Sequence, residues 1–161
     1  MTAAKQPERA GAPISPCYGT ALRRASRRVA QFYDGAIAGS GLRSTQFSIL
    51  AELQVRAGAP PSLAELAEVL VLDRSALGHN LRPLERDGYV AIVEGEADRR
   101  VRRITLTDKG RSKYREAREL WKQAQKRFAA VIGEEDAADL RTRLLNLAYD
   151  ERLTGPRGRR D

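Results

Sequence analysis

The hydrophobic period of this chain changes once and then changes back. From residue 18 to about 88, apolar residues recur every three or four positions, as they do on one face of a helix. Tyr89-Val90-Ala91-Ile92-Val93 is instead rich in strand-forming side chains, and Val101 to Leu106 alternates with period two. Two strands around a polar loop at Gly95 to Arg100 read as a β-hairpin. After Thr107 the helical period returns. The order is helix, helix, short helix, helix, hairpin, long helix, helix, which is a mainly α fold with one small β-hairpin.

Local signals place the boundaries. Tyr18, Leu22, Ala25, Val29, Phe32 and Ala36 form one face of a helix over about 18–38, stopped by Gly39, Ser40 and Gly41. Ser44 is the expected cap of a second helix with Phe47, Leu50 and Leu53 inward, ending near Gly58 before Pro60 and Pro61. Ser62 and Glu65 form a capping-box pattern ahead of a short helix expected to bury Leu63, Leu66, Ala67 and Leu70. Asp73 caps a fourth helix with Leu77, Leu81 and Leu84 inward and Gly88 as its stop. Thr107 with Asp108 opens the long helix, whose Tyr114, Ala117, Trp121, Ala124, Phe128 and Val131 make a heptad-like seam. Gly133 breaks it, and a last helix over about 134–152 follows, with an acidic first turn and Leu140, Leu144 and Leu147 on one face.

Composition removes whole classes of chemistry. The 161 residues include a single His79 and a single Cys17, too few for a His/Cys metal site within one chain. No H-E-x-x-H, G-x-S-x-G, phosphate-cradling Gly-rich Lys loop or G-x-G-x-x-G is present, so neither an enzyme nor a bound cofactor is expected. No apolar run reaches the length of a membrane span, and no apolar stretch follows Lys5 and Arg9 as in a signal peptide. One cysteine cannot form an internal disulfide, which fits the cytoplasm. The net charge of +8 points to a polyanionic partner, nucleic acid first. Yet the excess is uneven: residues 1–43 and 104–133 carry +5 each, whereas 73–103 carry only +1.

The chain divides into a tail (1–16), a first helix (17–43), a central unit (44–110), two long helices (111–152) and a basic tail (153–161). Within the central unit, residues 62–106 fit a winged helix-turn-helix, with the turn at about Val71 to Asp73. The stretches "LRSTQFSILAEL" (42–53), "SLAELAEVLVLDRSALGHNLRPLERDGYV" (62–90) and "EADRRVRRITLTDKG" (96–110) resemble the MarR family of bacterial transcription regulators. The resemblance runs in order and spacing over about 18–150. It implies a homodimer in which the first and last helices of both chains intertwine, with Tyr18, Leu22, Leu140, Leu144 and Leu147 at the contact. It also implies a double-stranded, pseudo-palindromic DNA partner with half-sites roughly 10 bp apart.

On the fourth helix the outward residues are Arg74, Ser75, Gly78, His79 and Arg82. His79 lies one turn in, where the family places a base-reading side chain; an imidazole makes one bond to a base edge where an arginine makes two to guanine. Pro83 removes one backbone donor and is expected to bend the helix. In the wing, Asp98 and Arg100 form a D-x-R pattern. By resemblance one of Arg99 and Arg100 enters the minor groove while the other is braced by the aspartate. Arg102 and Arg103 are expected at phosphates, and Ser62 either at a phosphate or as a cap alone.

The family also binds small aromatic acids in a crevice between lobe and dimer region. Tyr33, Phe47, Tyr114 and Trp121 lie on the helices that would line it, as core or as ligand contacts. The arginines 23, 24, 27 and 28 attract an anion or pair with the acidic last helix of a partner chain. A peroxide-sensing branch carries a reactive cysteine near the start of the first helix. Cys17 falls about two residues early; Tyr33 matches one of that branch's tyrosines, and Ser44 stands at the other. The leading expectation is a DNA-binding repressor released by a small ligand; the alternatives are a cysteine redox switch and a non-specific architectural DNA binder.

Overall fold

The structure is a computed structural model, and it describes residues 16–95 and 100–153. The expected tails fall almost wholly outside the described residues, as do Asp98 and Arg99 of the wing loop. Among the described residues the elements are α1 (Tyr18–Ile37), α2 (Ser44–Val55), α3 (Leu63–Val69), α4 (Arg74–Arg86), β1 (Val90–Glu94), β2 (Arg102–Leu106), α5 (Asp108–Ile132) and α6 (Glu134–Ala148). Short 3-10 turns cover Ala38–Ser40 and Glu151–Leu153. This is the expected order, mainly helical with one hairpin.

Most caps are built as the sequence implies. The Ser62 Oγ accepts from the Glu65 N–H at 3.3 Å, and the Glu65 carboxylate accepts from the Ser62 N–H at 2.6 Å. Asp73 accepts from the Ala76 N–H at 2.7 Å, and the Thr107 hydroxyl from the Gly110 N–H at 2.9 Å. Gly88, at φ 73°, ends α4: its N–H returns to Glu85 and that of Tyr89 to Leu84, which satisfies two of the helix's last carbonyls. Ser44 differs from expectation. It is the first residue of α2 rather than its cap, and both its N–H and its hydroxyl donate to the Asp34 carboxylate of α1 at 2.6 Å. An acid from a neighbouring helix thus serves the orphan donors of α2.

The core lies where α2, α3, α4, the hairpin and the first half of α5 meet. Leu50, Leu66, Leu77, Leu84 and Ile104 are at most 1% exposed. Leu63 is the exception to the expected inward set of α3 and is exposed. In the hairpin, Val90 pairs with Leu106 and Ile92 with Ile104, so Val90, Ile104 and Leu106 reach the core. The Ile104 N–H donates to the Pro61 carbonyl at 2.9 Å, which ties β2 to the segment before α3. Gly110 allows α5 to start against the backbone of Tyr89, just ahead of β1. A β-carbon at this position would overlap the Tyr89 carbonyl oxygen.

The helices at the other end are covered far less. Tyr18 is 88% exposed and Val131 80%, and no residue of α6 is buried. The long helix is continuous to Gly133, whose φ of 91° turns the chain into α6.

Candidate nucleic-acid interface

The placement of α4 follows from its two sides. Leu77, Leu81 and Leu84 sink into the core, and this leaves Arg74, Ser75, His79 and Arg82 exposed on the opposite side with Gly78 half-buried between them. Arg74, Gly78 and Arg82 are one turn apart and form a single row. A β-carbon added at Gly78 meets nothing within 4 Å, so no contact of the chain itself requires glycine there. The helix runs through Pro83 without interruption. Asn80, which sequence reading passed over, donates from its amide to the Ala76 carbonyl at 2.9 Å.

The hairpin stands beside this helix. Arg100 and Arg102 are exposed at its loop end. Arg103 differs from expectation: its guanidinium donates to the Glu65 carboxylate at 2.6 Å and to the Pro60 carbonyl at 3.3 Å. It braces the wing against α3 instead of reaching outward. The Glu65 pKa is lowered, first by the backbone and side-chain hydrogen bonds from Ser62 and then by the charge of Arg103. Spacing gave no sign of this pair, because 38 residues separate its members. The Ser62 Oγ caps α3.

The four aromatic candidates separate into two groups. Phe47, buried, stacks on Tyr114 at 5.6 Å between centroids and on Trp121 at 5.8 Å. Tyr33 belongs to a second cluster with Phe32 and Phe128, and its hydroxyl donates to Gln125 at 2.9 Å. Burial raises the Tyr33 pKa. At the start of α1, Cys17 is exposed, and hydrogen bonds to Thr20, side chain before backbone, lower its thiol pKa. Among the described residues no His/Cys/Asp/Glu group is arranged to hold a metal, and no helix is long and apolar enough to cross a membrane.

A short helix, a capped turn, a core-anchored second helix with a polar outer row, and an adjoining hairpin make a winged helix-turn-helix. The MarR family profile matches residues 40–101. The M. tuberculosis transcriptional regulator MosR, solved in complex with DNA, is 38% identical; the match covers 82% of this chain and 93% of that one, with a TM-score of 0.72. This chain belongs to the MarR family of transcription regulators. It is also similar to the repressor CouR, solved on a 23-mer DNA duplex (28% identity, 82% and 92% covered, TM-score 0.73). CouR from Rhodococcus jostii RHA1 has also been solved with p-coumaroyl-CoA (25% identity, the same coverage, TM-score 0.71). The transcriptional activatory protein BadR of Rhodopseudomonas palustris is 38% identical over 77 residues, a match that spans 47% of this chain and 44% of that protein.

Proposed function

We propose that this chain is a homodimeric, sequence-specific DNA-binding repressor that a small ligand releases from a pseudo-palindromic operator. The observation that carries the DNA reading is the exposed row of α4. Arg74, Ser75, His79 and Arg82 face outward with the wing beside them, in a fold shared with MosR and CouR, both solved on DNA. In this reading Arg74, Ser75, His79 and Arg82 meet base edges and phosphates in the major groove, while Gly78 allows a close approach. Ser62 and Arg102 meet phosphates, and one of Arg99 and Arg100 enters the minor groove while Asp98 braces the other. Double-stranded DNA from beside the protein's own gene, compared with random duplex in an anisotropy titration, tests this. The expected result is operator preference with a steep loss as salt rises; equal affinity for both duplexes contradicts it and favours an architectural binder.

The dimer reading is supported by apolar surface without cover. Tyr18, Leu22, Leu140, Leu144 and Leu147 are all at least 39% exposed in one chain. Two such patches meeting about a two-fold axis bury each other. The effector reading is supported by CouR's complex with p-coumaroyl-CoA and by the two aromatic clusters around Tyr33, Phe47, Tyr114 and Trp121. A thermal-shift screen of aromatic acids and their thioesters tests it, since a ligand of the native state raises the midpoint. The relatives include one repressor and one activator by name, so the sign needs a reporter assay with the gene deleted. A second reading, redox sensing, is favoured by the exposed, acidified thiol of Cys17. An unchanged peroxide response in Cys17→Ser removes it.

A further inference from the structure

The last carbonyls of a helix have no partner within it and must find one outside. At the end of α3 this need falls on the turn that launches α4. The Val71 N–H returns to the Glu68 carbonyl at 3.1 Å and the Leu72 N–H to that of Ala67 at 2.9 Å. Val71 sits at φ 51°, a left-handed conformation that is strained for a β-branched residue. The neighbouring Val69 carbonyl is served from far away: the Tyr149 hydroxyl, just past the end of α6, donates to it at 2.7 Å. The tyrosine ring also forms one wall of a cleft of about 340 Å³, shared with Ser48, Leu70 and Leu72. Leu70 and Leu72 flank Val71, so the tyrosine and the strained turn border one space.

We propose that Tyr149 is a positioning residue for DNA recognition. Its hydroxyl couples the end of α6 to the α3–α4 turn, so that the direction of α4 follows the state of the helical arm. This rests on the proposed DNA-binding dimer. In such a dimer the α6 helices belong to the shared region, and whatever shifts them changes the distance between the two recognition helices. The cleft gives the ring room to swing away, which leaves the Val69 carbonyl to water and the turn held by its backbone bonds and by the packing of Leu70 and Leu72 on the core.

Tyr149→Phe keeps the ring and removes the donor. Two readouts separate positioning from plain structure. In DNA-free protein, amide exchange at Val71, Leu72 and Asp73 is expected to quicken by roughly threefold to tenfold, as expected from the loss of one hydrogen bond. On operators whose half-site spacing is varied by single base pairs, the wild type is expected to show a sharp optimum. Tyr149→Phe is expected to show a flatter profile, with the optimum weakened by about the same factor and binding to an isolated half-site unchanged. Unchanged turn exchange together with an unchanged spacing profile overturns the proposal. A wild type that prefers no operator overturns the DNA reading and this role with it, whereas operator binding that ignores the hydroxyl overturns this role alone.

Discussion

The winged lobe and the helical arm carry the same kind of apolar spacing and opposite burial. In the lobe, Leu50, Leu66, Leu77 and Leu84 are sealed within one chain; in the arm, Leu140, Leu144 and Leu147 keep about two fifths of their surface. Periodicity marks which side of a helix is apolar but not what covers it. The lobe supplies its own cover by folding α2, α3, α4 and the hairpin around a common centre. The arm has α5 as its neighbour at the Gly133 turn and the Tyr149 bond at its far end. Its missing cover is what the second chain supplies in the proposed dimer.

The sharpest way to break the lobe alone is Gly110→Ala. Its β-carbon would collide with the Tyr89 backbone, which cannot yield as a flexible side chain does. A loss of about 3 kcal/mol or more is expected in denaturant melts. Gly58→Ala, where nothing lies within 4 Å, is expected to be nearly neutral.

Next comes a matched pair of leucines. Leu50→Ala in the lobe is expected to cost about 2–5 kcal/mol whatever the protein concentration. Leu144→Ala in the arm is expected to act through association, with a melting midpoint that falls on dilution. If both shifts were independent of concentration, the contrast between the two regions would be wrong.

Gly78→Ala is a smaller and more diagnostic change, because its two effects have opposite signs. Alanine in a helix interior stabilises by roughly 0.5–1 kcal/mol over glycine, and here no contact of the chain opposes it. Melting is therefore expected to rise while operator affinity falls. A rise with unchanged affinity would show that α4 does not approach DNA closely at that row.

The smallest expected effect concerns the brace between wing and α3. The folded pKa of Glu65 lies below its ordinary value, so its contribution is complete above the unfolded pKa and is lost as pH falls through the folded one. A carboxyl titration by NMR is expected to find its midpoint below that of a free glutamate. Glu65→Gln is expected to remove this acid-side loosening of the wing, seen as faster exchange at the Ile104 amide. A normal midpoint would show that the Ser62 and Arg103 contacts are not formed in solution.

Much of the lobe could be read from the sequence because its signals are local. The capping box at Ser62 and Glu65, the Asp73 cap, the Gly88 stop and the leucine spacing of α4 all act within one or two turns. What the sequence did not reveal depends on partners distant in the chain. Asp34 takes over the donors of Ser44, Arg103 turns back to Glu65, and Tyr149 reaches Val69 across 80 residues. The candidate reading row on α4 was visible because burial of Leu77, Leu81 and Leu84 dictates which side faces out. The aromatic residues were not separable by spacing. Phe47, Tyr114 and Trp121 come together only because α2 packs on α5, while Tyr33 joins Phe32 and Phe128 instead.

The central claim is that the lobe reads DNA and the arm brings two lobes together. Sedimentation of the protein on a short operator duplex tests both halves at once. The expected result is two chains per duplex, a preference for operator over random DNA, and loss of the complex as salt rises. One chain per duplex, with no preference between operator and random DNA, would contradict the claim.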